Sequence, residues 1–114
     1  MLYQIALHVK SCDTYRLGIA IEQVERLYQK VSKGSISVIF LFTFEGIDLF
    51  YKHKIPEELL RRMENLATYG VKFKLVLPDD GEVKLDEYPF LDVIEAGLIE
   101  LVKLYRAGYL YISI

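Results

Sequence analysis

The sequence offers little material for disulfides, zinc sites or membrane spans. Cys12 is the only cysteine among 114 residues, which excludes an internal disulfide and a zinc site built from cysteines and histidines. The longest apolar run, from Val38 to Phe42, is far shorter than the roughly 20 residues that a membrane-spanning helix requires. The first residues also lack the basic segment and apolar core of a signal peptide. We therefore expect a cytoplasmic protein without a membrane partner.

Signals for nucleic acid, nucleotide and metal binding are equally scarce. The net charge is −2 and no block of lysine or arginine stands out, so nothing provides a general attraction for nucleic acid. Neither G-x-G-x-x-G nor the P-loop pattern occurs. Acidic residues cluster between Asp79 and Glu87, but without the alternating ligand spacing of a calcium loop, which favours a solvated turn. We expect no cofactor, no metal and no nucleic acid partner.

Apolar residues, by contrast, are abundant, at 53% of the chain, enough for one core in a single domain over residues 1–114. The stretch from Val93 to Ile114 shows how they are arranged. Gly97 and Gly108 bracket a segment whose apolar residues recur at helical spacing, and a strand is predicted over residues 109–113. A strand at this position pairs best with one already formed, the helix being the crossover between strands. That βαβ unit predicts an α/β fold.

The remaining segments continue the α/β pattern. Apolar segments typical of strands in a parallel sheet lie at residues 2–9, 36–42, 71–77 and 90–94. Helical stripes run over residues 17–31 and 59–67, and a shorter helix is predicted over residues 47–52. Pro78-Asp79-Asp80-Gly81 is a turn that halts the third strand, and residues 82–89 are predicted to form a loop.

Two stretches carry a resemblance to a known family. One is the tail, in which Glu95-Ala96-Gly97-Leu98-Ile99-Glu100-Leu101-Val102 leads to Gly108-Tyr109-Leu110-Tyr111-Ile112, and the other is the opening strand, Ile5-Ala6-Leu7-His8-Val9, with its late histidine. Weaker support comes from Phe44-Glu45-Gly46-Ile47 and from the pattern Leu66-Ala67-x-x-Gly70-Val71-x-Phe73. On these residues the chain resembles the DsrE/DsrF-like family, which includes the YchN-like proteins and many small archaeal members.

The resemblance implies a three-layer α/β/α sandwich whose five-stranded parallel sheet has the order 4-3-2-1-5. It also implies homo-oligomers, commonly trimers or hexamers. Several members pass a persulfide through a cysteine just beyond the third strand. In this sequence that place is held by Leu77-Pro78-Asp79-Asp80, which contains no thiol. The family's sulfur chemistry therefore does not carry over at that position.

Four residues are candidates for a site. His8 occupies the family's histidine position, as a proton donor or ligand contact near neutral pH, or as a structural histidine bonded to backbone or a second subunit. Cys12 follows strand one at the carboxyl edge of the sheet, either as a reactive thiol near a helix start or as a small half-buried residue. Gly46 belongs to the turn after strand two. Asp79 stands where the family has its cysteine.

These residues leave three functional hypotheses open. The first is a non-catalytic, oligomeric binding or accessory protein that has lost the thiol site, with a link to sulfur metabolism. The second is a sulfur-transfer protein that carries a persulfide on Cys12 and works with a sulfur-relay partner. The third is a small-molecule binding module that uses His8 and the backbone of the turn at Phe44-Glu45-Gly46.

Aromatic residues predict self-association. Nine tyrosines and six phenylalanines are many for a chain that buries only about two-thirds of its extended surface. Several lie at predicted element ends or in loops, where the core of a monomer would not hold them all: Tyr15, Phe44, Phe50, Tyr51, Tyr88, Phe90 and Tyr105. We expect a homotrimer first, with a hexamer or dimer behind it.

Overall fold

The strands and helices follow one another in the order that the sequence predicts. The structure, a computed structural model, describes residues 3–51, 54–76 and 85–114. Its strands are β1 (Tyr3–Val9), β2 (Ile36–Phe42), β3 (Lys72–Val76), β4 (Leu91–Ile94) and β5 (Leu110–Ser113). Its helices are α1 (Thr14–Lys30), α2 (Asp48–Tyr51), α3 (Glu57–Thr68) and α4 (Gly97–Arg106). Across these described ranges, no helix is long and apolar enough to cross a membrane.

The five strands form one sheet in the order β4-β3-β2-β1-β5. Every neighbouring pair is parallel, including β1 with β5. This is the order that the family resemblance implies, so the predicted fold class is confirmed. Six of the seven residues of β2 are buried, since the strand lies at the centre of the sheet and is covered on both faces.

Helices lie on both faces of the sheet, which makes three layers. Buried residues of α1, α2 and α3 share the larger core with the side chains of β2 and β3 that point to their face, among them Phe40, Phe42 and Phe73. Leu104 of α4 packs on the opposite face, against Ala6 and Ile39. An ion pair between Lys74 Nζ of β3 and Glu100 Oε1 of α4, 2.5 Å apart and largely buried, also holds α4 to the sheet.

Helix and strand ends differ from the predictions by a few residues. The predicted helix over 47–52 begins as a 3-10 turn at Phe44–Ile47 and continues into α2, while residue 52 lies outside the described residues. The predicted loop over 82–89 contains a 3-10 turn at Leu85–Glu87, and residues 77–84 also lie outside the described ranges. Gly108 adopts φ 89° just after α4, which is the helix-ending role predicted for it.

We expected a monomer's core not to hold all seven aromatic residues at element ends and in loops, and it holds two of them. Phe50 and Tyr88 are buried, and their rings meet edge to face with centroids 5.0 Å apart. Phe42 also meets Phe50 edge to face, with centroids 4.8 Å apart. The short α2 and the segment before β4 fold back over the sheet, so residues assigned to element ends extend the core. Tyr15, Phe44 and Tyr105 are exposed as expected, and Tyr51 and Phe90 are half-buried.

Gly46 allows the turn after β2 to press against the end of β1. A Cβ atom at this position would overlap the carbonyl oxygen of Val9, which accepts a hydrogen bond from the Thr43 amide at 3.1 Å. The approach therefore requires glycine for space, and a larger residue would push the turn away from β1.

Replacing Gly46 by alanine should lower the free energy of unfolding by about 1–3 kcal/mol, because the added methyl group forces backbone apart in a packed region. The measurement is urea denaturation. Gly18→Ala is the matched control: Gly18 lies inside α1, and no neighbouring side chain comes within 4 Å of the place that a methyl group would take, so alanine there should stabilise by up to about 1 kcal/mol. Equal stabilities for the two variants would contradict this account of Gly46.

Candidate functional site

His8 lies at the centre of the candidate site. It is the second-last residue of β1, with β2 on one side and β5 on the other, and its side chain is buried. Its ring lies on the α4 face of the sheet, since Ala6, two residues earlier, packs against Leu104 of α4. The strand ends thus place an ionisable side chain at the carboxyl edge of the sheet, where open α/β folds bind ligands.

Two hydroxyl groups hold the His8 ring. Nε2 lies 2.5 Å from Thr43 Oγ1, and Nδ1 lies 2.7 Å from the hydroxyl oxygen of Tyr111. Burial lowers the pKa of His8, and the positive charge of Lys10 lowers it further. A neutral imidazole has one N–H and one lone pair, so one hydroxyl accepts a hydrogen bond from the ring and the other donates one to it. The two hydrogen bonds join Thr43, His8 and Tyr111 in a continuous chain, which runs from the end of β2 across β1 to β5.

Glycine at the start of α4 brings that helix close to Thr43. A Cβ atom at Gly97 would lie 3.3 Å from Thr43 Cγ2 and 3.0 Å from Val76 Cγ2. Both contacts are tighter than ordinary van der Waals contacts, so a larger residue would shift the beginning of α4. The first turn of α4 therefore lies over the carboxyl ends of β2 and β3, next to the hydrogen-bonded chain.

The turn that follows Thr43 contains a strained residue. Phe44 has φ 51°, a left-handed conformation that is uncommon for an aromatic residue, and its side chain is exposed. Gly46 completes the turn, and its amide donates to the Thr43 carbonyl oxygen at 2.8 Å. Backbone strain of this kind is common at binding and catalytic sites. The predicted candidate Gly46 thus supports the position of Thr43 through the backbone.

Cys12 lies apart from the hydrogen-bonded chain. It is half-buried in the loop between β1 and α1, and it packs against the larger core on the face opposite α4. Asp13 is the N-cap of α1, with its side chain accepting from the amides of Tyr15 and Arg16 at 3.0 and 3.2 Å. Asp79, the fourth predicted candidate, lies outside the described residues. The structure therefore places Gly46 against Val9, the neighbour of His8. The Val9 side chain belongs to the larger core that Cys12 also contacts, whereas the His8 ring lies on the α4 face.

Sequence reasoning missed both partners of His8. Thr43 directly follows β2. His8 is aligned with Leu41, and Thr43 comes two residues after Leu41, so Thr43 falls at the same sheet edge and on the same face as His8. Tyr111 is aligned with Ala6 on β5, and its ring meets the His8 ring edge to face at 5.6 Å. The alternation of Tyr109 and Tyr111 was the available signal, because residues two apart share a face of a strand. Tyr109 likewise hydrogen-bonds to Ser37 of β2.

A stripe of exposed apolar side chains runs along α4. Leu98, Val102 and Tyr105 recur at the i, i+4, i+7 spacing of one helix face, with exposed fractions of 76%, 43% and 81%. Glu100 reaches β3 from the other flank of the helix, so this α4 stripe lies on the side nearer β1 and β5. Exposed apolar residues in a row of this kind commonly mark a contact surface.

An apolar groove lies on the other face of the sheet. It has a volume of about 300 Å³ and runs between α1 and β5, with Arg16 and Gln23 at its rim. Its apolar lining comes from α1, β1 and the C-terminal segment, and includes Ile5, Ile19, Val24, Leu27, Ile112 and Ile114. We refer to it as the α1–β5 groove.

Comparison with known proteins identifies the fold. No family model and no curated protein matches the chain. Among solved structures, the chain is similar to the protein of unknown function MTH1491 from Methanobacterium thermoautotrophicum, with a TM-score of 0.73 and 19% identity over 98% of this chain and 99% of that one. It is also similar to the conserved protein of unknown function BT1422 from Bacteroides thetaiotaomicron, with a TM-score of 0.61 and 14% identity over 97% and 95% of the two chains. Together with the strand order, these similarities define the fold class of the chain as an α/β sandwich with a parallel 4-3-2-1-5 sheet.

The lowered pKa of His8 predicts that the protein loses stability in mild acid. As pH falls below the ordinary histidine value of 6.5, the unfolded chain takes up a proton before folded His8 does, and this favours unfolding. The free energy of unfolding, measured by denaturant titration, should therefore decrease from about pH 7.5 to about pH 5.5. His8→Gln should remove much of that decrease.

His53→Gln is the control, because it removes the second histidine of the sequence and keeps His8. This variant should keep the pH dependence of the parent protein. An unchanged pH dependence in His8→Gln would show that His8 is not the responsible group.

Proposed function

We propose that the protein is a non-catalytic binding or accessory protein of the DsrE/DsrF-like type, which works as an assembly of identical chains. The observation that carries the proposal is the α4 stripe, in which Leu98 and Tyr105 expose more than three-quarters of their surface. Monomeric soluble proteins rarely expose contiguous apolar patches of more than a few hundred Å². The sequence after β3 supports the non-catalytic part, because Leu77-Pro78-Asp79-Asp80 contains no thiol for sulfur transfer.

The edge strand β5 gives further support to self-association. All four of its residues are exposed, among them Leu110 and Ile112, whose side chains would face water in a single chain. An exposed apolar edge strand is a liability that proteins usually cover or charge. Assembly covers it, and we expect a trimer first, with a hexamer or dimer as the next candidates. A link to sulfur metabolism and a cytoplasmic location complete the proposal, the latter supported by the single cysteine.

Light scattering after size exclusion tests the assembly. At micromolar concentration the protein should have a mass that is a multiple of the 13.3 kDa chain, three times that mass being the first expectation. A mass of one chain that does not change when the concentration is raised tenfold would refute the proposal.

A second candidate function is sulfur transfer through Cys12. The observation in its favour is that Cys12 is a free, half-exposed thiol at the carboxyl edge of the sheet. In this reaction the Cys12 thiolate attacks the outer sulfur of a donor persulfide. A sulfur–sulfur bond forms on Cys12, and the donor leaves as a thiolate. The contacts between Cys12 and the apolar core weigh against such a role, because a carrier thiol must be reached by its donor and its acceptor.

Mass spectrometry after incubation with a low-molecular-weight persulfide distinguishes the two functions. The binding-protein proposal predicts an unmodified chain, and the alternative predicts a stable gain of one sulfur atom at Cys12. Cys12→Ser is the control, since this variant has no thiol and should remain unmodified in either case. A gain of sulfur by the parent protein but not by the variant would replace the first proposal with the second.

A further inference from the structure

The protein has two apolar surfaces of opposite form, the protruding α4 stripe and the concave α1–β5 groove. We infer that the α4 stripe of one copy docks into the α1–β5 groove of the next copy, and that this head-to-tail contact repeats until a ring closes. The inference rests on the proposed self-assembly and adds its geometry. It assigns different surfaces to the two sides of each contact and names the residues on both.

The stripe has the shape of an insert. Leu98 and Tyr105 protrude from the helix, and Val102 fills the space between them on the same flank. The three Cα positions span about 10 Å along the helix axis, at 1.5 Å per residue. Arg106 lies four residues after Val102, at the edge of this flank, while Lys103 falls on another side of the helix.

The groove has the shape of a receptor for such an insert. Its α1 wall runs from Arg16 to Leu27, which spans about 16 Å and exceeds the length of the stripe. Its volume of about 300 Å³ is at the lower end of the range for pockets that bind other molecules, and its interior is apolar. Tyr105 would bring one polar atom, and buried tyrosine hydroxyls usually find a partner. Arg16 and Gln23 at the rim provide polar groups for that hydroxyl.

The amount of surface also fits a stable contact. At their exposures, the side chains of the stripe and of β5 together present several hundred Å² on each copy, on the order of the 800 Å² that each partner buries in a standard interface. Because stripe and groove are separate surfaces on each copy, a dimer joined by one such contact would leave one stripe and one groove uncovered. A closed ring covers all of them, which favours a cyclic assembly of three or more chains.

Cysteine cross-linking tests the direction of the contact. On a Cys12→Ser background we would introduce Val102→Cys in the stripe and Ile19→Cys in the groove, two positions with the same exposed fraction of 43%. Under mild oxidation the double variant should form covalent oligomers up to the ring size, and an equimolar mixture of the two single variants should form covalent dimers. Each single variant alone should remain uncross-linked. Cross-linking of Val102→Cys to itself would establish a helix-to-helix contact and overturn the inference.

A charge substitution provides the second measurement. Leu98→Glu should reduce the mass seen by light scattering to that of one 13.3 kDa chain, while its thermal unfolding remains cooperative. Leu85→Glu is the matched control, because it introduces the same change at another exposed leucine, in the turn before β4, and should leave the assembly intact. If Leu98→Glu remains assembled, the inferred contact is wrong and the proposed self-assembly survives. If the parent protein is itself a monomer, both fail.

Discussion

The crossover from β4 to β5 is the constraint on which the rest of the structure depends. These two strands are the opposite edges of the sheet, about 19 Å apart at the usual strand spacing, and the ten residues of α4 span about 15 Å. One helix therefore crosses the α4 face diagonally, from the ends of β2 and β3 to a position over Ala6 and Ile39. It is anchored by Leu104 and by the buried pair of Lys74 and Glu100, and removing one partner of such a pair leaves an uncompensated buried charge.

That crossover also creates the candidate site. By returning the chain to β1, it places Tyr111 beside His8, and Gly97 lets its first turn approach Thr43. The His8 ring is then held from both sides by hydroxyl groups, in surroundings that favour the neutral imidazole. The same path leaves one flank of α4 and the outer side of β5 exposed to solvent. The site and the proposed contact surfaces thus have one structural origin.

Particular residues show where sequence reasoning succeeded and where it failed. The strand at 36–42 was predicted with its observed ends, because a mostly apolar run bounded by Gly34 and by the turn at Phe44 leaves little choice of limits. Phe50 and Tyr88 belong to the aromatic residues at element ends and in loops that a monomer's core was not expected to hold in full, and both complete the core. Their burial depends on the return of α2 and of the segment before β4 over the sheet. Local pattern does not contain that information, since ring contacts join residues 38 positions apart.

The sequence by itself determined the order of strands and helices, the glycines that bracket α4 and the position of His8 at the end of a strand. Those features follow from periodicity and from backbone conformations that few residues adopt, and both are local properties. Only the tertiary structure decided that Thr43 and Tyr111, 35 and 103 residues from His8, would be its partners. It also decided that Cys12 would face the opposite core and that Leu98, Val102 and Tyr105 would face solvent. The covered side of an amphipathic crossover helix depends on which strands the helix packs against. The strand order of the sheet sets this position, and the residues of the helix do not.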